Sequence, residues 1–142
     1  MAQGDTRTYR LANVLISIDG LPLSGFGESD AITFTPRSDL FESVTGADGE
    51  VTRSASNDLS QDIALVLMQT SPALALLEAR LALIRVGAPG DIFTIYVNDI
   101  EGRETVLAQQ TWIQRAPDLA FGKAAAEREW ALMSPNVIQS RY

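Results

Sequence analysis

Apolar residues recur along this chain at two spacings, and the switch between them falls inside one stretch, Gln61 to Val86. Ile63 to Met68 carries β-compatible apolar side chains on both parities, which predicts a strand covered on both faces. Thr70, Ser71 and Pro72 then mark a change of structure, because a hydroxyl residue caps free helical N–H groups and proline suits a first helical turn. From Pro72 the period is that of an α-helix, with Leu74, Leu77, Leu81 and Ile84 on one face and Leu76 and Leu83 widening it. Ala75, Ala79 and Ala82 form a small-residue strip beside that face. Charge is confined to Glu78, Arg80 and Arg85. A helix this apolar is expected both to plug its own sheet and to touch another subunit. The alanine strip reads equally as a surface for close approach and as plain helix propensity.

The rest of the pattern alternates with a period of two. Thr8 to Ile18 predicts a first strand with Val14, Ile16 and Ile18 inward, ended by Asp19 and Gly20. Leu21 to Asp30 is rich in turn formers and reads as a loop or irregular edge. Ala31 to Thr35 is a short strand stopped by Pro36, and Leu40 to Thr45 is another. Gly46-Ala47-Asp48-Gly49-Glu50 then holds an Asp-Gly turn before Val51, so residues 36–60 form a protruding, polar hairpin. Gly87 sits where a helix C-cap belongs, with Pro89 and Gly90 beyond it. Ile92 to Asn98 and Arg103 to Gln114 predict a second hairpin. In its return strand Val106, Ala108, Gln110 and Trp112 alternate with Thr105, Leu107, Gln109 and Thr111, so one side is left to water or a lumen. Arg115 to Lys123 is a connector, Glu127 to Met133 a last strand with Trp130 and Leu132 on one face, and Ser134 to Tyr142 a polar terminal arm. The fold class is mainly β: an antiparallel barrel or sandwich in a single domain, 1–142, with short terminal arms and one flanking α-helix at about 72–86.

Composition removes most chemistry. With neither cysteine nor histidine, the chain has no disulfide, no thiolate or imidazole catalysis and no thiolate- or His-ligated metal. Met1 to Arg10 lacks the apolar core of a secretory signal, so synthesis and retention in the cytosol of the producing cell are expected. The net charge of −7 comes without any cluster of Lys and Arg. Such a surface repels phosphate backbones and anionic lipid, so neither DNA binding nor membrane binding is expected. Acidity on this scale serves either solubility alone or a surface that faces DNA without holding it.

No constellation of residues points to catalysis, a cofactor or a metal. Gly25-Phe26-Gly27 lacks the third glycine and the strand-to-helix context of a phosphate cradle. Asp48 and Glu50 offer too few oxygens for a calcium loop. Asp58 with Asp62, or Glu127 with Glu129, could run glycoside hydrolysis, but solvated strand faces account for them. Trp112 and Trp130 could stack a small ligand or glycan in a monomeric β-barrel binding module; as strand aromatics they read first as packing anchors.

Three segments together resemble a known family: Gly46-Ala47-Asp48-Gly49-Glu50; the strand ending in Gln69-Thr70-Ser71-Pro72 with its Ala/Leu helix; and Arg115-Ala116-Pro117-Asp118-Leu119 ahead of Glu129-Trp130. Over nearly the whole chain they resemble the tail tube proteins of long-tailed bacteriophages, contractile-tailed ones above all, similar in fold to the type VI secretion tube. The resemblance implies a structural virion protein of the phage tail, assembled in the host cytoplasm, that forms hexameric rings stacked into a hollow tube for DNA passage. The partners it implies are further copies of the chain and the tail sheath, tape measure and baseplate proteins. It makes Thr45, Gly46, Asp48, Gly49 and Glu50 candidates for stacking between rings. Ala75, Ala79 and Ala82 are candidates for contact between subunits.

Overall fold

The computed structural model describes residues 8–27 and 30–142. The first segment, Thr8 to Ile18, opens with a short turn of 3-10 helix, Leu11–Asn13, before strand β1, Val14–Ile18. Ile16 and Ile18 are buried and Val14 packs at the rim. Asp19 and Gly20, both with positive φ (51° and 83°), form a two-residue turn into the short edge strand β2, Leu21–Pro22.

From there the chain runs irregularly along β6, Gln61–Met68. Phe26 bridges to Leu67, the Gly27 N–H donates to Val66, and the Gly25 carbonyl accepts from Met68. The two glycines are there for space. A Cβ at Gly25 would lie 2.7 Å from that of Ser71, and one at Gly27 would lie 2.7 Å from Val66 and from the Glu127 carboxyl. This segment extends the β3 edge of β6, and Val66 is buried along with Ile63, Leu65 and Leu67, as the double-parity apolar pattern requires.

Strand β3, Ile32–Pro36, pairs with β6. Strands β4, Phe41–Thr45, and β5, Val51–Ala55, pair with each other in a separate two-stranded ribbon whose residues are all exposed. After β6, Ser71 starts the helix. Its hydroxyl donates to the Ser24 carbonyl and accepts from the Ala73 N–H, and α1 runs Leu74–Arg85, a little shorter than the expected 72–86. The helix ends as its sequence demands. Gly87, φ 69°, returns its N–H to Ile84, and Ala88 returns its own to Leu83.

Leu74 and Leu77 drive into the core, with Leu76, Leu81 and Ile84 at its rim. Arg80, on the outer side, donates to the Asp19 carboxylate at 2.6 Å and to the Gly90 carbonyl. Asp19 accepts in turn from the Thr94 N–H, so the helix is tied to the β1–β2 turn and to β7, Phe93–Asp99.

Strand β8, Glu104–Arg115, overturns the expected alternation. Between the pairs Phe93 with Thr111 and Ile95 with Ala108, two steps on β7 match three on β8, and Gln110 takes φ 53°. This bulge moves Thr111 and Ile113 into the core and turns Gln110 and Trp112 out of it. The cause is hydrophobic: strict alternation would bury a glutamine in place of an isoleucine. A second register shift follows between Ile113 and Arg115, opposite β9, Glu127–Ser134.

The C-terminal tail is not an arm. Beyond Pro135 it continues as β10, Asn136–Arg141, paired along the first half of β8. Its residues are polar because the strand lies at an edge. The N-terminal arm, Met1 to Arg7, lies outside the described residues, as do Glu28 and Ser29 of the Leu21 to Asp30 segment. The main sheet runs β2-β1-β7-β8-β9-β6-β3, with β10 beside β8; every pairing is antiparallel. This path is open, so of the two expected forms the sandwich holds and the closed barrel does not. Trp130, Phe93, Ile18, Ile63, Leu65, Leu67 and Leu132 fill the space between its layers.

Candidate assembly surfaces

The five tip residues expected to mediate stacking come together at one end of the β4–β5 ribbon. Thr45 pairs with Val51, the Gly46 N–H donates to the Glu50 carbonyl at 2.8 Å, and the Gly49 N–H donates back to Gly46 at 3.0 Å. The Asp48 carboxylate accepts the Glu50 N–H at 3.1 Å, and Gly49 supplies the positive φ, 85°, that closes the turn. The tip is therefore a stiff, acidic knob. Along the ribbon Phe41, Val44 and Val51 stand in water, with the Arg53 guanidinium laid over the Phe41 ring at 4.5 Å. A lone two-stranded ribbon is marginal in water, and exposed apolar residues along it mark a candidate contact surface.

Asp58 sets the ribbon's root. It accepts from the Ser38 hydroxyl at 2.6 Å and from the hydroxyl and N–H of Ser60. The Ser38 bond, then those from Ser60, hold its carboxyl down at about 2. This clamp bridges the gap between the β3–β6 ladder, which ends where Arg37 bonds Ser60, and the ribbon ladder, which begins where Ser56 bonds Leu40. A lowered value is the reverse of what a general acid needs. Asp62 turns elsewhere, to Arg37 at 3.5 Å.

Ala75, Ala79 and Ala82 are all exposed on the helix. Ala82 lines a groove of about 570 Å³ between α1 and the connector after β8. Leu81, Val86, Leu119, Phe121 and Trp130 form its apolar walls; Glu78, Arg85 and Arg128 supply its charge. Sequence reasoning passed over this groove. The exposed Leu119 and Phe121 were the available signal, but only folding places them beside the helix.

Glu127 and Glu129 stand exposed on one face of β9, over a shallow depression shared with Arg115 and Asp118. Trp130 lies on the opposite face, sealed in the core, while Trp112 bonds Gln114; the two rings share no ligand platform. Among the described residues no cluster of carboxylates has metal-holding geometry.

The sequence model described as bacteriophage PhiTE tail tube protein matches residues 7–140. The chain belongs to this tail tube family. Among solved structures it is similar to the anti-feeding prophage cap, a tube terminating cap (TM-score 0.68, 10% identity, covering 98% of this chain and 95% of that one). It is similar also to the sheath/tube terminator of an extracellular contractile injection system, PVC, in the extended state (TM-score 0.68, 12% identity, 95% and 98% covered). The PVC sheath-tube complex gives a TM-score of 0.67 at 14% identity, with 95% and 93% covered. At such identities the likeness is one of fold. No curated protein matches the sequence significantly. For this member of the tail tube family, exposed ribbon and sheet edges are the features that bear on its role, which is that of a structural component of the virion.

Proposed function

We propose that six copies of this chain close into a ring and that such rings stack into the hollow inner tube of a phage tail, through which DNA passes on ejection. The observation that carries this reading is the β4–β5 ribbon, whose Val44 and Val51 stand more than 60% exposed and whose Phe41 is covered among the described residues only by Arg53. The edges of β3 and β10 that have no strand partner among the described residues add to it, since pairing across subunits removes edges that a solitary sheet would have to blunt. One repeated heterologous contact closes a ring, and an axial repeat extends it as an open filament. The net charge of −7 suits a lumen in which DNA slides without counterion release to hold it.

The Thr45 to Glu50 tip serves stacking between rings, and the Ala75, Ala79 and Ala82 strip meets a neighbouring subunit. Family membership supports tape measure and baseplate proteins as partners. Likeness to proteins described with a sheath supports a contractile tail with a sheath outside the tube. Assembly takes place in the host cytoplasm, and the chain works without catalysis or cofactor. Among the described residues no helix is long and apolar enough to cross a membrane.

Negative-stain electron microscopy, with light-scattering mass on the same sample, tests this. Six-fold rings or hollow tubes are expected. A protein that stays monomeric at millimolar concentration and binds a small ligand or glycan would replace the tube reading with the binding module.

A further inference from the structure

Two exposed apolar surfaces of the described residues lie towards different ends of β6. The ribbon is rooted at its start, Gln61, while the groove between α1 and the connector stands at its end, where Arg128 and Trp130 pair with Leu67 and Leu65. Eight strand residues separate these ends by about 25 Å. Both surfaces are apolar, with Val44 and Val51 more than 60% exposed on the ribbon and Val86 and Phe121 at least 75% exposed at the groove.

Their charges are complementary. The ribbon and its root carry Asp39, Glu42, Asp48, Glu50 and Asp58 against Arg37 and Arg53, while the groove carries Arg85 and Arg128 against Glu78. Arg128 is engaged, 3.8 Å from Glu78 and stacked over Phe121, whereas Arg85 makes no ion pair among the described residues. Glu50 makes none either, and it directly precedes Val51 where the ribbon turns.

We propose that the ribbon tip of one copy seats in the groove of the next, Val51 against Val86 and Phe121 and the Glu50 carboxylate on the Arg85 guanidinium. The proposal rests on the self-assembly reading above and names the receptor that reading leaves open. A knob and a socket on different surfaces of one subunit make a head-to-tail contact, and where that contact does not close on itself it propagates as a stack. The socket is partly apolar and shields the ion pair, so the pair adds register to an attraction that burial of Val51 and Phe121 provides.

Charge exchange tests it. At low salt, Glu50→Arg and Arg85→Glu are each expected to raise the concentration needed for stacking at least tenfold, and the double variant to return it to within threefold of the parent. Because the chain has no cysteine, Val51→Cys and Val86→Cys proteins can also be mixed and oxidised; a disulfide-linked dimer of the two is expected, and none when Ser140→Cys on β10 replaces Val86→Cys. All five positions are exposed, so these variants are expected to fold, which thermal unfolding checks. Parent tubes that form while the double variant stays as defective as the worse single, or while the Val51–Val86 disulfide fails to appear, overturn this contact and leave self-assembly standing. A parent that never assembles overturns both.

Discussion

Gln110 sits across the ladder from Pro135, between the matched pairs Trp112 with Met133 and Gln109 with Asn136. The two positions accommodate each other. Pro135 has no N–H to give to β8, and Gln110, with φ 53°, is the residue whose bulge leaves the ladder at that point. Ser134, fully buried, closes the defect by donating its hydroxyl to the Gln109 carbonyl at 2.6 Å. A left-handed backbone costs a non-glycine residue about 1 kcal/mol. Gln110→Gly is therefore expected to raise the melting temperature by about 3 °C and Gln110→Val to lower it by at least as much, read by thermal unfolding. A lower melting temperature for the glycine variant would show that φ there carries no strain.

Arg80 holds the helix to the β1–β2 turn through Asp19, and both groups are partly shielded, with side chains 22% and 36% exposed. Arg80→Ala should cost about 1–2 kcal/mol in urea denaturation, because it removes a charge-assisted bond and the cover it gives the Gly90 carbonyl. Asp19→Asn should cost less, since asparagine tolerates the positive φ at that position. Equal losses would mean that the charge, and not the backbone shape, dominates at Asp19.

Acid should free the ribbon before it unfolds the body. The Asp58 carboxyl is depressed in the folded chain, so its clamp is fully present above the unfolded value near 3.8 and is lost as pH falls through about 2. Hydrogen exchange of the β4 and β5 amides is expected to accelerate over that window relative to β6, once corrected for intrinsic rates. Asp58→Asn should produce the same local loosening at neutral pH. A ribbon that exchanges in step with β6 in both cases would show that Asp58 is not its clamp.

Deleting Thr45 to Thr52 removes the knob but none of the buried core. The shortened protein is expected to keep the parent melting temperature within about 2 °C and to form rings or monomers that do not stack. Tubes of ordinary length from this variant would end the stacking role of the tip.

Ala79 is exposed in the middle of α1. Replacement by tryptophan should cost folding only about 0.5 kcal/mol of helix propensity, while blocking any neighbour that packs on the strip. Thermal unfolding and light-scattering mass, taken together, separate the two effects. Unimpaired assembly would leave the strip with no role between subunits.

Much of this was legible in the residues. The shift from Ile63–Met68 to Leu74–Ile84 announced a strand followed by a helix because each periodicity is a local consequence of backbone geometry, and Gly87 and the Asp-Gly turn marked their own places through the φ they require. Features that depend on what lies opposite were not legible. Ser134 to Tyr142 looked like a solvated arm because an edge strand and an arm share a polar composition; only its partner β8 distinguishes them. The alternation from Val106 to Trp112 misled for the same reason, since the bulge at Gln110 is decided by which residues face the core made by β6 and β9.

By itself, the sequence determined the central strand-to-helix switch, the order of the strands up to β9 apart from the short β2, the absence of thiol and imidazole chemistry and the segments that mark a tail tube protein. All of these follow from local propensity or from residue identity. Tertiary structure decided that the sandwich stays open, that Asp58 roots the ribbon and that α1 and the connector enclose a groove. Each of these joins residues far apart in the chain, and only packing of the shared core brings them within reach of one another.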